Sequence, residues 1–310
     1  MSYGIINLKI TRNYGVSPVK CQVKSFMEKI KLNNGVEMPL IGYGVYLVTP
    51  EECEKCVSDA LAVGYRSIDT AQAYLNEEGV GKAWKKSGLK REDLFLTTKV
   101  WITNSGDKKA ADSIDNSLKK LQTDYIDLLL IHQPFGDYYG TYRAMERALK
   151  DGKIRAIGVS NFYYDRFEDL ADNMEIKPAV NQLEVNVFSQ QKRMQEICSA
   201  YGTHLMAWGP LVHGENGIFT NPVLEGIGTK YGKTAAQVAL RFLVQSGIII
   251  IPKSVRIERM KENFEILDFT LSNEEMGKIS KLDTGHGIAA DFTDIEQLLG
   301  LYHILKSMKV

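Results

Sequence analysis

The feature that most constrains the fold is a repeat of short apolar runs separated by amphipathic stretches. The runs recur roughly every 25 to 31 residues, with about 45 residues before the last one, which is the spacing of a strand followed by a helix. Eight such units predict an α/β chain folded as a (β/α)8 TIM barrel; an open sheet of eight strands is the alternative. The runs lie near Leu40, Ser67, Phe95, Ile126, Ile154, Val180, His204 and Ile248.

Local patterns indicate buried strands and one additional hairpin. Ile126–Ile131, which Asp127 interrupts, and Ile248–Ile251 are nearly continuous apolar runs, as expected for strands that helices cover on both faces of a parallel sheet. Asn34 and Gly35 lie between alternating apolar positions in residues 30–38, which is typical of a hairpin turn. We therefore expect an N-terminal β-hairpin that closes the barrel floor.

Three segments carry helix start signals. Thr49–Glu52, Thr234–Gln237 and Ser272–Glu275 each place a hydroxyl three residues before Glu or Gln, the spacing of a capping box. The first segment also has proline at the first helical position. We expect a helix after each of them. The first helix should bury one apolar stripe, formed by Cys53, Cys56, Val57, Ala60 and Leu61.

Composition excludes several classes of function. The chain has 38 basic and 38 acidic side chains, and this neutrality argues against nucleic acid or an anionic membrane as a partner. No run approaches the roughly 20 apolar residues of a membrane span. Four cysteines are too few for a disulfide framework at 310 residues, and Cys53 and Cys56 lack further ligands at zinc-site spacing. We expect a reduced, cytoplasmic protein that binds no metal.

Polar side chains follow three of the predicted strands. Asp69 ends the second strand, Lys99 the third and His132 the fourth, and Tyr74 lies in the loop after Asp69. Because neighbouring strand ends converge on a barrel rim, we expect these four side chains to meet. A structural ion pair between Asp69 and Lys99 is the alternative.

Together the four residues would supply a proton. A free phenol has a pKa of about 10, and an ammonium group beside Tyr74 would lower that pKa. Asp69 would keep Lys99 charged, and His132 would hydrogen-bond the oxygen of a bound carbonyl. This chemistry suits carbonyl reduction, in which hydride reaches carbon and a proton reaches oxygen.

Several motifs in order and at the right spacing then indicate a family. From about Met27 onward the sequence resembles the aldo-keto reductases, in particular the bacterial-type branch that reduces small carbonyls and diketo sugars. The segments that carry the resemblance are residues 69–78, 97–101, 131–132, 158–162 and 181–184. The resemblance implies NADPH-dependent reduction of aldehydes or ketones, namely small aldehydes, dicarbonyls or keto sugars. It makes Tyr74 the general acid, tuned by Lys99 and Asp69, with His132 placing the substrate.

A basic segment follows the last predicted strand. Backbone N–H groups at a helix start, with Lys and Arg nearby, can bind an anion, although a solvated helix end is the alternative. The resemblance implies NADPH here and along the rim. Its phosphate and adenine contacts would be Lys253, Ser254, Arg256, Arg259, Glu262 and Asn263. Its nicotinamide contacts would be Ser160, Asn161, Gln182 and Trp208, with Gly44, Val45, Asp69, Gly209, Leu211 and Val255 as further cofactor positions.

The expected substrate pocket departs from the commonest family pattern. Its predicted residues are Tyr46, Trp101, His132 and Gln133, with the tail after Gly285 as a further wall. Tyr46 and Gln133 stand where the family often has Trp, and Val45 where Thr is common. Two other functions remain open: a Schiff-base aldolase through Lys99, and a cofactor-binding sensor or structural barrel. We expect a monomer or weak homodimer.

The first 26 residues differ from the rest of the chain. They carry four basic residues and no acidic ones, without a regular apolar period. We expect residues 1–26 to be an extension outside the fold and residues 27–310 to form a single barrel domain.

A chain that begins at Met27 should therefore fold and reduce carbonyls like the full chain. Thermal melting of both proteins in parallel tests this, together with their kcat/KM for one aldehyde. A melting temperature lowered by more than a few degrees would show that the extension is part of the fold.

Overall fold

Eight parallel strands form one sheet that closes on itself. The computed structural model describes residues 28–287 and 294–307, so the predicted extension over residues 1–26 lies outside the described residues. The sheet follows chain order from its first strand to its last, and every neighbouring pair is parallel. A hairpin, β1 and β2, precedes it. The strands are β1 Lys29–Lys31, β2 Glu37–Pro39, β3 Tyr43–Gly44, β4 Ser67–Asp69, β5 Phe95–Val100, β6 Ile126–Ile131, β7 Ile154–Ser160, β8 Val180–Glu184, β9 His204–Trp208 and β10 Ile249–Ile250.

Hydrogen bonds join the two ends of the sheet. Ile41 pairs in parallel with Ile250, the Gly42 N–H donates to the Ile250 carbonyl at 2.8 Å, and the Ile250 N–H donates to the Leu40 carbonyl at 2.9 Å. The sheet is therefore a closed barrel, which confirms the predicted fold over the open-sheet alternative.

Helices follow the strands and cover the barrel. Their apolar faces pack on the strands, as in α1, which buries the whole predicted stripe from Cys53 to Leu61. The helices are α1 Pro50–Val63, α2 Glu77–Lys86, α3 Asp107–Leu121, α4 Tyr138–Lys150, α5 Tyr164–Asn173, α6 Lys192–Ala200, α7 Pro222–Tyr231, α8 Ala235–Gln245, α9 Ile257–Phe264, α10 Asn273–Ser280 and α11 Ile295–Ser307. None of the helices over residues 28–287 and 294–307 combines the length and apolar character of a membrane span.

Side-chain caps begin each of the three helices that carry a predicted start signal. The capping boxes predicted at Thr234 and Ser272 are both present. At α1 the Thr49 hydroxyl oxygen accepts from the Glu52 N–H at 3.3 Å. The Thr49 hydroxyl donates to the Glu52 carboxylate at 3.2 Å, so that carboxylate does not bond the Thr49 backbone. The full capping box predicted there was therefore wrong, and only its first half forms.

The hairpin covers the N-terminal end of the barrel, as predicted. Gly35 adopts a φ of +88°, a left-handed conformation that glycine tolerates, and its N–H donates to the Leu32 carbonyl at 2.9 Å. The Asn33 amide donates to the Pro178 carbonyl at 3.1 Å, and the Asn34 amide donates to the Arg155 carbonyl at 2.8 Å. These bonds hold the hairpin against the starts of β7 and β8.

A buried carboxylate ties three strands together near the same end. Asp127 in β6 has a fully buried side chain and lies 2.6 Å from both Arg91 and Arg155. It also accepts the Leu96 N–H of β5 at 2.9 Å. A buried charge that keeps all of these partners is stable, but removing it leaves two cations without their counter-ion.

We expect Asp127→Ala to lower the free energy of unfolding by about 3 kcal/mol, because it breaks a buried ion pair. Urea denaturation measures this as a lower midpoint at constant slope. Asp112→Ala is the matched control, since Asp112 forms an exposed i,i+4 pair with Lys108 that should contribute less than about 0.5 kcal/mol. Equal losses for both variants would contradict a special role for Asp127.

Candidate active site

Four polar side chains meet at the C-terminal rim of the barrel. Asp69 ends β4, Lys99 lies near the end of β5 and His132 directly follows β6. Tyr74 ends a single 3-10 turn after β4. The predicted convergence of these residues is therefore present in the structure.

A buried ion pair lies at the base of the rim. The Lys99 Nζ lies 2.5 Å from Asp69 Oδ1, and it also donates to the Thr70 carbonyl at 2.9 Å. The Gln182 amide, from β8, donates to Asp69 Oδ2 at 2.9 Å. Lys99 is 0% and Asp69 2% exposed. Both carboxylate oxygens are engaged, so the pair has little freedom to move.

Aromatic contacts place Tyr74 above this pair. The Lys99 Nζ lies 5.1 Å from the centre of the Tyr74 ring. The His132 imidazole stands edge-on to the Tyr74 ring, with 5.5 Å between ring centres. Tyr46 packs on the outer side of Tyr74 at 5.2 Å. The phenol is therefore held between a cation, an imidazole and a second aromatic ring.

Asn76 fixes the loop that carries Tyr74. Its amide donates to the carbonyls of Val45 and Val48, each at 3.0 Å, and its oxygen accepts the Thr70 hydroxyl at 2.7 Å. Its side chain thus ties the loop after β4 to the loop after β3. Asn76 lies within the family-like segment 69–78, but no sequence pattern distinguished its role from that of its neighbours.

Burial dominates the protonation of the site. It raises the pKa of Tyr74 well above the usual value for a phenol, and the nearby Asp69 charge raises it further. Lys99 is not among the groups that shift this pKa, so the expected lowering by its ammonium stays a prediction. Burial, and then the Lys99 charge, hold the pKa of His132 well below its usual value. Tyr74 therefore keeps its proton at neutral pH, and His132 is uncharged.

Burial also acts on the ion pair itself. It lowers the pKa of Lys99, while Asp69 opposes that shift. It raises the pKa of Asp69, while Lys99 and the Gln182 hydrogen bond oppose that shift. The two charges therefore depend on each other, which supports the predicted role of Asp69 in keeping Lys99 charged.

A cavity of about 1000 Å³ runs along the rim, at the upper end of the range for small-molecule sites. Nearly all of the predicted site residues line it. The exceptions are Lys99, which lies behind Asp69, and Val45, whose side chain is buried in the core. The sequence did not indicate these further lining residues: Leu47, Ala73, Pro210, His213, Gly214, Phe219, Thr234, Ala235, Ala236, Ile251 and Pro252. Leu301 and Leu305 line it as well.

Leu301 and Leu305 belong to α11. The residues between 287 and 294 lie outside the described part of the chain, but α11 itself forms one wall of the cavity, as expected for the tail after Gly285. The Tyr302 ring packs on Phe135 with 4.9 Å between ring centres. This contact holds the helix against the loop after β6.

The middle of the cavity presents amides beside an indole. The Trp208 N–H donates to Asn161 Oδ1 at 3.0 Å, and the Ser160 hydroxyl donates to the Gln182 carbonyl at 3.0 Å. Asn161 has a φ of +62°, in the left-handed region that asparagine tolerates better than most residues. A flat aromatic surface next to ordered amides fits a nicotinamide ring and its carboxamide.

The far end of the cavity is basic. Lys253, Arg256 and Arg259 line it beside the start of α9. The Tyr43 hydroxyl donates to the Ser254 carbonyl at 2.5 Å, and Ser254 Oγ accepts the Arg256 N–H at 3.0 Å. Cations at a helix start fit the phosphates of a dinucleotide. Glu262 and Asn263 line the same end, where the Glu262 carboxylate accepts the Thr234 hydroxyl at 2.6 Å.

Comparisons with known proteins agree with this geometry. The sequence profile of the Aldo/keto reductase family matches residues 41–284. A glyoxal reductase of Bacillus subtilis (strain 168) is 48% identical over 261 residues, which span 84% of this chain and 94% of that protein. The methylglyoxal reductase DkgA of Escherichia coli (strain K12) is 42% identical over 265 residues, spanning 84% and 96%. A Bombyx mori aldo-keto reductase in complex with NADP matches with a TM-score of 0.81 and 34% identity, over 87% of this chain and 96% of that one.

The barrel and its rim thus define an oxidoreductase that uses a nicotinamide cofactor. The family-profile match and the sequence identity to the bacterial relatives identify the family as well as the class. The chain belongs to the aldo/keto reductase family. It catalyses the NADPH-dependent reduction of aldehydes or ketones to alcohols, so the predicted fold, function and cofactor are confirmed.

The protonation of the site predicts a flat pH profile for the chemical step. A raised pKa keeps the Tyr74 proton as the pH rises, and a lowered pKa keeps His132 uncharged as the pH falls. Single-turnover reduction by NADPH-loaded enzyme should therefore vary less than about threefold between about pH 7 and pH 9. A decline centred near pH 8 would show that Lys99 lowers the phenol pKa after all.

Proposed function

We propose that this reductase acts on small aldehydes and 1,2-dicarbonyl compounds and that Tyr74 donates the proton. The observation that carries the proposal is the cluster of partly buried Tyr74 with buried His132, Lys99 and Asp69, at one end of a cavity with a basic far end. The glyoxal and methylglyoxal activities named for the two bacterial relatives support the substrate class.

Each residue of the cluster has a distinct task. The uncharged His132 imidazole donates its one N–H to the carbonyl oxygen and so orients and polarises the carbonyl. NADPH, when bound, supplies the hydride that reaches the carbonyl carbon. Negative charge then develops on oxygen, and the Tyr74 hydroxyl transfers its proton to that atom. The adjacent Lys99 ammonium stabilises the phenolate that Tyr74 becomes, because opposite charges attract strongly at a desolvated site.

The surroundings of Lys99 argue against the aldolase alternative. A Schiff-base lysine needs an uncharged amine that reaches the substrate. Lys99 lies outside the cavity lining, is fully buried and already donates to Asp69 and Thr70. Asp69 is therefore a positioning residue that keeps Lys99 charged and aimed at Tyr74.

We propose that the order of polar groups along the cavity sets the orientation in which NADPH binds. Ser160, Asn161 and Gln182 would hold the carboxamide, with Trp208 stacked on the nicotinamide ring. Lys253, Ser254, Arg256, Arg259, Glu262 and Asn263 would hold the adenosine 2′-phosphate and adenine, and Gly44, Val45, Gly209, Leu211 and Val255 would lie along the cofactor. Support comes from the cationic end of the cavity and from the ordered amides near Tyr74.

The proposal also includes the cellular location and the oligomeric state of the enzyme. Zero net charge and three buried free cysteines, Cys53, Cys56 and Cys198, support a reduced, cytoplasmic enzyme without a nucleic-acid or membrane partner. We propose a monomer or weak homodimer. Light scattering across a concentration series measures this mass directly, and a constant tetrameric mass would contradict it.

Tyr74→Phe tests the proton donor. It removes the acid but keeps the ring that packs on Tyr46 and His132, so NADPH should bind as before. The single-turnover rate should fall about 10²- to 10⁴-fold, the usual contribution of a positioned general acid. The control is Tyr201→Phe, which removes a surface phenol bonded to Asp172.

A sensor or structural barrel predicts instead that the parent protein binds NADPH without oxidising it when aldehyde is added.

Arg256→Ala tests the phosphate end. NADPH should bind about tenfold more weakly, the low end for a charge-assisted contact, because the Arg256 side chain is 61% exposed and water screens it. NADH lacks the 2′-phosphate and should bind almost as before. The control is Lys261→Ala, in the helix α9 that begins directly after Arg256; Lys261 does not line the cavity. Equal weakening of both cofactors would mean that Arg256 does not bind the 2′-phosphate.

A further inference from the structure

Besides His132 Nδ1, two polar atoms at the carbonyl end of the cavity are buried without a hydrogen-bond partner among the described residues. They are the indole nitrogen of Trp101 and the amide oxygen of Gln133, and both side chains line the cavity. Trp101 is 2% exposed and Gln133 9% exposed. A buried polar atom of this kind costs free energy until it acquires a partner. Such a pair on a cavity wall indicates a ligand group that bonds both atoms.

Both residues are neighbours of His132, Gln133 along the chain and Trp101 in space. Gln133 is the residue after His132, and the Trp101 ring stands edge-on to the His132 ring with 5.0 Å between ring centres. The Trp101 backbone N–H donates to Gln72 Oε1 at 3.0 Å, so the segment that carries the indole is fixed. A substrate whose carbonyl oxygen meets His132 would thus hold its neighbouring carbon beside both atoms.

The hydrogen-bonding capacity of these two atoms specifies which ligand group can bond both of them. An indole N–H only donates, and an amide oxygen only accepts. A hydroxyl group can accept from Trp101 and donate to Gln133 at once, whereas a methyl group bonds neither and a bare carbonyl oxygen bonds only the indole. The pair is therefore complementary to a hydroxyl.

We propose that Trp101 and Gln133 form a hydroxyl-binding subsite that selects carbonyl compounds with a hydroxyl on the carbon next to the reacting carbonyl. α-Hydroxy aldehydes meet this requirement, as do 1,2-dicarbonyl compounds whose second carbonyl is hydrated. The inference rests on the proposed function and adds the specificity determinant to it. Gln133, which departs from the Trp common in the family, thereby gains a role in substrate choice.

The test compares glycolaldehyde with propanal, which differ by a hydroxyl in place of a methyl group. The measured quantity is the ratio of the two kcat/KM values, from NADPH oxidation, for parent and variant enzymes. Differences in intrinsic reactivity and hydration of the aldehydes cancel, because they enter the parent and variant ratios equally. Gln133→Met removes the acceptor, and Trp101→Phe removes the donor but keeps a ring beside His132. Each should lower the ratio by about tenfold or more.

Two further variants keep the test specific. Leu305→Met changes a residue of the same cavity without touching a hydrogen-bonding group, and its ratio should stay within about twofold of the parent. Gln133→Glu keeps an acceptor oxygen and should retain most of the preference. Unchanged ratios in Gln133→Met and Trp101→Phe, or an equal loss in Leu305→Met, would overturn the subsite while leaving the reductase intact. A parent enzyme that oxidises NADPH with neither aldehyde would overturn the proposed function, and the subsite with it.

Discussion

The contact between Lys99 and Asp69 is the interaction on which the site depends. Burying either charge alone would be very unfavourable, and the pair is tolerable only because each charge compensates the other at 2.5 Å. Its two members come from adjacent strands, β4 and β5, and Gln182 reaches the same carboxylate from β8. The pair therefore joins elements from both halves of the chain at the point where the chemistry takes place.

The same exclusion of water determines the chemistry around the pair. Burial keeps the proton on Tyr74 and keeps His132 uncharged. The resting site therefore holds a protonated phenol next to a neutral imidazole. In the proposed mechanism, Lys99 stabilises the phenolate that Tyr74 becomes after the transfer, and the same attraction opposes the rise of the Tyr74 pKa. Under the proposed mechanism, desolvation preserves the protonated reactant state, and charge pairing stabilises the product of the proton transfer.

Most of the architecture was predictable because it depends on local patterns. Nearly continuous apolar runs marked β6 and β10. Polar residues at strand ends marked the cluster at the rim, because a parallel barrel brings all carboxyl ends to one rim. Properties that depend on three-dimensional surroundings were not predictable. The direction of the Tyr74 pKa shift depends on how completely the ring is buried. The tail after Gly285 was expected at the pocket, but the sequence did not indicate that Leu301 and Leu305 would be the residues that reach it. Val45 turns its side chain into the core although its neighbours line the site.

The closure of the barrel has a consequence for how the protein folds. The bonds between Leu40, Gly42 and Ile250 join positions about 210 residues apart, and such distant pairings form slowly because a long loop must close first. During synthesis from the N-terminus, the edge of β3 has no partner until β10 leaves the ribosome. Until then, the growing sheet presents an open edge, which in other chains is a site of aggregation. The Tyr43 hydroxyl, bonded to the Ser254 carbonyl, completes its contact in the same late step, so the cofactor end of the site forms only as the barrel closes.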